Sequence, residues 1–196
     1  MTLPDKLTVS RIFLTFIFMV FLFSGGVAAK VLALAIFALA TITDFLDGFI
    51  AKKRNIGTDF GKLMDPIADK ILVLAAFLAF VEMKLVPAWM VVIIILREIM
   101  ITGLRALGAA KGKVIPADEG GKHKMVSQVV SIFAVLFFML FREAGEKVFH
   151  FWDKRSEAIY KDTIFALMSI TVLLTLISGI SYLVKNKGVY SNPKND

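Results

Sequence analysis

The chain has no cysteine, and histidine and tryptophan occur only twice each among its 196 residues. The lack of thiols excludes disulfides and thiolate metal sites, and His123 and His150, which have no visible partners, do not make a zinc site. Charge is also scarce, because charged residues make up 20% of the chain and hydrophobic residues 58%. This composition excludes a disordered chain, and the length of the apolar runs excludes an ordinary soluble domain.

Six segments are apolar enough to cross a hydrocarbon core of roughly 30 Å, which needs about 20 helical residues. They are predicted at residues 7–24, 31–51, 64–81, 86–106, 125–141 and 163–184, the third with an N-terminal extension over 60–63. Six spans leave no room for a soluble domain, so residues 1–196 are expected to form a single all-α membrane domain. The first span lacks a small-residue cleavage site and is expected to be retained rather than removed as a signal peptide.

The basic residues predict an orientation in the membrane. Most of the 23 Lys and Arg residues fall on one side if both termini are cytoplasmic, in segments 1–11, 52–70, 105–124 and 185–196. Segment 142–162 has balanced charge and several aromatic residues, which predicts an interfacial helix on the other side. Anionic lipid, and not nucleic acid, is the expected partner of the basic residues. The prediction is therefore a multi-pass protein of the cytoplasmic membrane.

Four carboxylates stand out in this apolar chain, as pairs at the ends of the second and third predicted spans: Asp44, Asp47, Asp65 and Asp69. Spacings of three and four residues put each pair on one face of a helix. Because ionised groups in membrane segments are costly without a compensating charge, a cation is expected among them. Oxygen ligands favour Mg²⁺ or Mn²⁺, and two facing helices accommodate one or two ions, with two favoured. A cation held at a membrane surface suggests phosphate chemistry.

Simpler roles compete for some of these residues. Asp65 is followed by Pro66, a pairing typical of an N-cap with proline at the first helical position. Asp59 is expected to be a solvated loop acid. Capping explains one of the four carboxylates and none of the small residues near them, which leave the helix surface bare for a ligand or another backbone. Those small residues are Gly48, Ala51 and Gly61.

At these positions the sequence resembles the CDP-alcohol phosphatidyltransferase family. The family signature is Asp-x2-Asp-Gly-x2-Ala-Arg, then eight or nine residues, then Gly-x3-Asp-x3-Asp. In this chain it runs from Asp44 to Asp69, and every fixed position matches but one. Lys52 replaces the family arginine, keeping the charge but losing the planar fork that can grip phosphate in two places. The family's six-helix membrane fold agrees with the six predicted spans.

Within the family, the chain is most similar to the phosphatidylglycerophosphate synthases. Three further motifs carry this similarity: Leu7-Thr8-Val9-Ser10-Arg11; Arg97-Glu98-Ile99 with Thr102-Gly103-Leu104-Arg105; and Gly121-Lys122-x-Lys124 with Gln128. The resemblance implies transfer of a phosphatidyl group from CDP-diacylglycerol to sn-glycerol 3-phosphate with release of CMP, and it implies a homodimer. The alternatives are the same chemistry on inositol phosphate, serine or another alcohol and, more distantly, a cation transporter.

The resemblance also assigns roles around the acidic residues. Three of them, Asp44, Asp47 and Asp65, would bind metal, and Asp69 would complete the metal site and act as general base on the glycerol hydroxyl. The CDP moiety would be held by Thr43, Asp44, Asp47, Gly48, Ala51, Lys52 and Gly61.

A basic pocket for the phosphate of the acceptor is expected nearby. The predicted residues are Arg97, Arg105, Lys122 and Lys124. Ordinary positive-inside charge is the alternative for the two lysines, and snorkelling or structural pairing is the alternative for Arg97. Helical spacing puts Glu98 and Arg105 on one face, so Glu98 is expected to orient Arg105, whereas adjacent Arg97 and Glu98 are not expected to face each other.

The role of Asp69 is open to a direct test. We expect Asp69→Asn to reduce turnover nearly to background, because the side chain that accepts the proton is lost, while binding of CDP-diacylglycerol largely survives. CMP release and CDP-lipid binding, measured on the same purified preparation, check both parts. Turnover close to that of the unmodified protein would remove Asp69 from the role of base.

Overall fold

The computed structural model describes the backbone of residues 3–54, 59–112, 119–149 and 152–190. Side chains are described over the same ranges apart from 3–8, 44–69, 119–123 and 189–190. Every regular element in the described part of the chain is a helix, which confirms the all-α prediction there. The helices are α1 (Leu3–Phe23), α2 (Val27–Arg54), α3 (Asp59–Glu82), α4 (Ala88–Ala110), α5 (Glu119–Lys147), α6 (Lys154–Lys185) and the short α7 (Lys187–Tyr190).

Phenylalanine side chains fill the centre of the bundle. Phe18 in α1 and Phe37 in α2 are fully buried with ring centroids 5.5 Å apart, and Phe133 in α5 meets Phe37 edge-on at 5.1 Å. Ring pairs of this kind contribute about 0.5–1.5 kcal/mol beyond the area they bury. Helix α1 packs on α2 and α3, α5 joins α2 to α6, and α4 packs chiefly on α6. Helix α6 is therefore in contact with both α4 and α5.

The exposed surface of the bundle is apolar, whereas polar side chains lie inside it. In α6, Ile170 and Ile177 are more than half exposed, while Thr171 and Thr175 are buried. A helix of a water-soluble protein has the opposite distribution, and lipid around the bundle accounts for the reversal. Among the described residues, Lys124–Lys147 and Lys154–Lys185 are long and apolar enough to cross a membrane. These features indicate membrane association, and six spans stay a prediction.

Local turn chemistry determines where several helices begin. Gly26, between α1 and α2, has φ 101°, a conformation that other residues adopt only with strain. Pro87 precedes α4, where its missing N–H leaves no helical hydrogen bond unmade. Asp153 caps α6 by accepting the Ser156 N–H at 2.7 Å, and hydrogen bonds from Ser156 hold the pKa of Asp153 below its usual value.

Charged groups contact one another and the backbone at one end of the bundle. This end comprises the α1–α2 turn, the α3–α4 turn and the α5–α6 connection. Glu143 accepts hydrogen bonds from the Gly26 N–H and the Lys147 ammonium, both at 2.7 Å. The buried ammonium of Lys30 donates to the carbonyl oxygen of Leu22 at 2.6 Å, in the last turn of α1. We call this end the corner end. The opposite end, where α2 ends and α3 begins, is called the acidic end.

Residues 142–162 do not form the predicted interfacial helix, because α5 and α6 both extend into this segment. The segment is instead the corner between two long helices. Trp152 meets Phe141 and Tyr160 edge-on, with ring centroids 6.3 and 5.8 Å apart. Two of the aromatic residues that suggested an interfacial helix, Trp152 and Tyr160, thus pack against each other and, with Phe141, join α5 to α6.

Helix α3 begins at Asp59, before the predicted span, and the proposed extension over 60–63 is confirmed. Asp59 is therefore the first residue of a helix and not a loop acid. The capping explanation for Asp65 is wrong, because an N-cap precedes the first turn and this residue lies more than one turn inside the helix. Pro66 likewise lies inside the helix, where its missing N–H removes one backbone hydrogen bond.

Candidate functional site

The four predicted metal-binding carboxylates lie on two consecutive helices. Asp44 and Asp47 lie in the last three turns of α2, and Asp65 and Asp69 lie in the first half of α3. Only residues 55–58 separate these helices, so both pairs belong to the acidic end of the bundle. The positions of the four side chains lie outside the described residues, and coordination of a metal stays a prediction.

The predicted CDP-binding residues belong to the same two helices. Gly48, Ala51 and Lys52 lie in α2 and Gly61 lies in α3, in the part where side chains are not described. The Thr43 side chain is described, and its hydroxyl donates to the backbone carbonyl one turn earlier. This hydrogen bond uses the single donor of the hydroxyl group, so Thr43 can bind a ligand only as a hydrogen-bond acceptor.

Lys70 follows Asp69 directly and connects α3 to α4. Its ammonium group donates to the Thr102 hydroxyl, which itself donates to the carbonyl oxygen of Glu98 at 2.8 Å. The helix that carries two of the four acids is therefore bonded to the helix that carries the predicted acceptor arginines. The contact brings the two halves of the predicted site into neighbouring parts of the bundle.

Glu98 binds two cations in the interior. Its carboxylate lies 3.5 Å from Arg97 Nη1 and forms an ion pair with Lys124 of α5. The three side chains are only 13%, 10% and 6% exposed. Arg97 Nη2 also donates to Ser178 Oγ of α6 at 2.9 Å. Among the described residues, the Glu98 carboxylate thus lies between two cations, and basic side chains of this kind are what a bound phosphate requires.

Arg105 is held by Tyr182 of α6. Its Nε donates to the phenol oxygen at 3.1 Å, and its guanidinium carbon lies 5.6 Å from the ring centroid. A cation over an aromatic face in this way contributes about 0.5–1 kcal/mol at an exposed site. Tyr182 is buried and Arg105 is exposed, so a fixed ring supports a charged group at the surface of the bundle.

Two expectations for α4 are wrong. Arg105 is bonded to Tyr182, and among the described residues no contact joins it to Glu98, which instead contacts Arg97 and Lys124. The adjacent Arg97 and Glu98 do meet, although their Cβ atoms diverge. Helical spacing predicts the direction of each Cα–Cβ bond. It does not predict the path of a long side chain, whose end can turn toward that of its neighbour.

The structure thus places three of the four predicted acceptor residues near one another, around the contacts of α4 with α5 and α6. These are Arg97, Arg105 and Lys124. Lys122 lies in α5, in the part where side chains are not described. The same holds for His123, and His150 lies outside the described residues altogether.

Sequence reasoning missed the contribution of α6. Four polar residues of this helix are buried on one face: Thr171, Thr175, Ser178 and Tyr182. Their spacings of four, three and four residues, in an otherwise apolar span, were the available signal. Thr175 Oγ1, and Gln128 Nε2 of α5, have no hydrogen-bond partner among the described residues. The interior beside α6 therefore has unused hydrogen-bonding capacity for water or a polar ligand.

Comparison with known proteins extends over nearly the whole chain. A family model described as CDP-alcohol phosphatidyltransferase matches residues 1–185. The chain is 37% identical to the CDP-diacylglycerol–glycerol-3-phosphate 3-phosphatidyltransferase of Bacillus subtilis (strain 168), over 94% of each chain. It is 36% identical to a probable phosphatidylglycerophosphate synthase of Mycobacterium tuberculosis (strain ATCC 25618 / H37Rv), over 93% of this chain and 80% of the relative. The CDP-diacylglycerol–glycerol-3-phosphate 3-phosphatidyltransferase of Rickettsia bellii (strain RML369-C) is 33% identical to it over 92% of each chain.

Neutralising Glu98 tests whether its carboxylate stabilises the bundle. We expect Glu98→Gln to lower the free energy of unfolding by about 3 kcal/mol, because two buried cations lose their shared counter-charge. The matched control is Glu146→Gln, whose side chain is 40% exposed and pairs with Arg142 at 2.9 Å. An exposed pair of this kind is worth about 0–1 kcal/mol. Thermal unfolding in detergent compares the two variants, and equal losses would contradict the role of Glu98.

Proposed function

The chain belongs to the CDP-alcohol phosphatidyltransferase family, and we propose that it transfers the phosphatidyl group of CDP-diacylglycerol to sn-glycerol 3-phosphate. The products are phosphatidylglycerophosphate and CMP, which places the enzyme in phospholipid biosynthesis. The observation that carries the proposal is 37% identity, over 94% of the chain, to a relative whose name states this reaction.

We assign two divalent ions, Mg²⁺ or Mn²⁺, to the carboxylates of Asp44, Asp47, Asp65 and Asp69. An all-oxygen donor set on two helices joined by four residues fits hard divalent cations, which bind carboxylates and keep positions for water and phosphate oxygens. When bound, the metal neutralises the diphosphate and stabilises the leaving CMP. The CDP moiety lies along α2 and the start of α3, where Gly48 and Gly61 leave the backbone accessible and Lys52 supplies positive charge.

Asp69 accepts the proton of the attacking hydroxyl in this proposal. The glycerol oxygen forms a bond to the β-phosphorus, the bond from that phosphorus to the bridging oxygen breaks, and CMP leaves with the electron pair. A carboxylate beside a cation is a weak base, so the reaction depends on a well-positioned nucleophile. The bond between Lys70 and Thr102 supports such positioning, because it joins the helix of Asp69 to the helix of the acceptor arginines.

The phosphate of the acceptor is bound by Arg97, Arg105, Lys122 and Lys124 in this proposal. The closeness of Arg97 and Lys124 around Glu98 supports the assignment, and so does the planar fork of arginine, which binds two phosphate oxygens at once. Because the acceptor is a phosphate ester, a basic pocket distinguishes it from alcohols without a phosphate group, such as serine or free glycerol.

We further propose that α1 to α6 are six membrane spans of one catalytic domain. The shortest, α1, has 21 residues. A helix of that length extends about 31 Å, close to the thickness of a hydrocarbon core. Basic residues near the acidic end support a cytoplasmic location for that end and for both termini. A homodimer, as the family resemblance implies, completes the proposal.

A panel of acceptors tests the reaction. Purified protein with CDP-diacylglycerol and Mg²⁺ or Mn²⁺ is expected to release CMP with glycerol 3-phosphate and not with inositol phosphate, serine or glycerol, and chelation of the metal is expected to stop the release. CMP release that depends on another alcohol would replace the acceptor while keeping the chemistry. Ion flux into proteoliposomes without CDP-lipid, and no CMP release with any acceptor, would support the cation transporter instead.

Arg105→Ala tests the acceptor site. We expect the KM for glycerol 3-phosphate to rise about tenfold or more, because a charge-assisted hydrogen bond to phosphate is lost. The KM for CDP-diacylglycerol is expected to change little. Steady-state kinetics with each substrate varied in turn give both values. An equal rise in both would move Arg105 out of the acceptor site.

A further inference from the structure

We infer that α6 positions the two acceptor arginines of α4: Ser178 and Gly179 set the side chain of Arg97, and Tyr182 sets that of Arg105. The inference rests on the proposed acceptor site. The three α6 residues are positioning residues, because they act on the phosphate only through the guanidinium groups.

Arg97 is fixed by α6 at two points along its side chain. Its Nη2 donates to Ser178 Oγ at 2.9 Å, deep inside the bundle. One residue further, a Cβ atom at Gly179 would lie 3.0 Å from Arg97 Cγ and 3.9 Å from its Nε. The aliphatic part of Arg97 therefore crosses α6 at a position where any larger residue than glycine would push the Arg97 side chain aside by a few tenths of an ångström. The hydroxyl then fixes the far end of the same side chain.

Arg105 is fixed by a ring that is itself immobilised. Tyr182 is 2% exposed and packs with Ile101 and Leu104 of α4, which lie on the same helix as Arg105. The phenol oxygen accepts from Arg105 Nε, and the ring face lies beneath the guanidinium. One aromatic side chain thus supplies both a hydrogen bond and a cation–π contact, which together define the direction of the guanidinium.

These contacts bring together two side chains that their own helix holds apart. Arg97 and Arg105 are eight residues apart, so their Cα atoms are separated by about 12 Å along α4. Their partners Ser178 and Tyr182 are four residues apart, or about 6 Å along α6, and lie on the same face of it. Helix α6 therefore draws the two arginines toward points one turn apart. A single phosphate group requires this kind of convergence to contact both.

The first test compares conservative variants with matched controls from the same helix. We expect Tyr182→Phe and Ser178→Ala each to raise the KM for glycerol 3-phosphate about fivefold, by loss of one hydrogen bond to a charged group. The KM for CDP-diacylglycerol and kcat are expected to stay within about twofold, and Ser178→Thr, which keeps the hydroxyl, is expected to restore the KM.

The controls Tyr160→Phe and Ser169→Ala, whose hydroxyls lie away from the two acceptor arginines, are expected to leave all three values unchanged. Unchanged KM in both test variants would overturn the inference.

The second test separates positioning from general support of the fold. In an Arg105→Ala background, Tyr182→Phe is expected to cause no further rise in KM, because the group that it positions is gone. A rise of the same size in both backgrounds would mean that Tyr182 acts on the fold, and the inference would fail. If Arg105→Ala alone leaves the KM for glycerol 3-phosphate unchanged, the proposed acceptor site fails instead.

Gly179→Ala provides an independent measure that needs no loss of a hydrogen bond. The added methyl group is expected to displace the Arg97 side chain and raise the KM for glycerol 3-phosphate, with thermal stability close to that of the unmodified protein because alanine favours a helix. The matched control is Gly188→Ala, where a Cβ atom would meet nothing within 4 Å. An unchanged KM in Gly179→Ala would contradict the positioning of Arg97.

Discussion

The packing of α4, α5 and α6 depends on one carboxylate, that of Glu98, which lies between two cations inside the described part of the bundle. Arg97 on the same helix and Lys124 on α5 both approach it, and Arg97 continues to Ser178 on α6. Because a charge in a low-dielectric interior is stable only with a partner, these contacts determine how α4, α5 and α6 sit together.

The two ends of the bundle use charge differently. At the corner end, Arg142 is matched by Glu146 and Glu157, and Glu143 is matched by Lys147 and a backbone N–H, so acids and bases compensate each other. Toward the acidic end, the contacts among the described residues are of another kind: Glu98 contacts two cations, and Arg105 is supported by an aromatic ring. A matched pair of charges stabilises structure and offers little to a ligand, whereas an aromatic ring supports a cation without neutralising it.

The sequence predicted what depends on periodicity and composition. Apolar runs located six long helices, and α4 spans Ala88–Ala110 where 86–106 was predicted. The two pairs of acids lie on consecutive helices as predicted, and metal binding by them stays a prediction. The sequence did not predict contacts made by the ends of flexible side chains, such as the ion pair between Glu98 and Lys124, because these contacts depend on the position of a partner helix. The start of α3 was also misjudged from the sequence. An aspartate followed by proline, as at Asp65 and Pro66, fits the start of a helix, but it also fits the interior of a helix that tolerates proline.

The aromatic corner has a consequence for spectroscopy. Both tryptophans of the chain lie toward the corner end, Trp152 packed between Phe141 and Tyr160 and Trp89 half exposed in the first turn of α4. Intrinsic fluorescence therefore reports on the seam between α5 and α6 and on the surrounding lipid or detergent. It is expected to respond little to a nucleotide at the acidic end, where we propose that CDP binds, so occupancy of that proposed site has to be followed with a fluorescent group on the ligand itself.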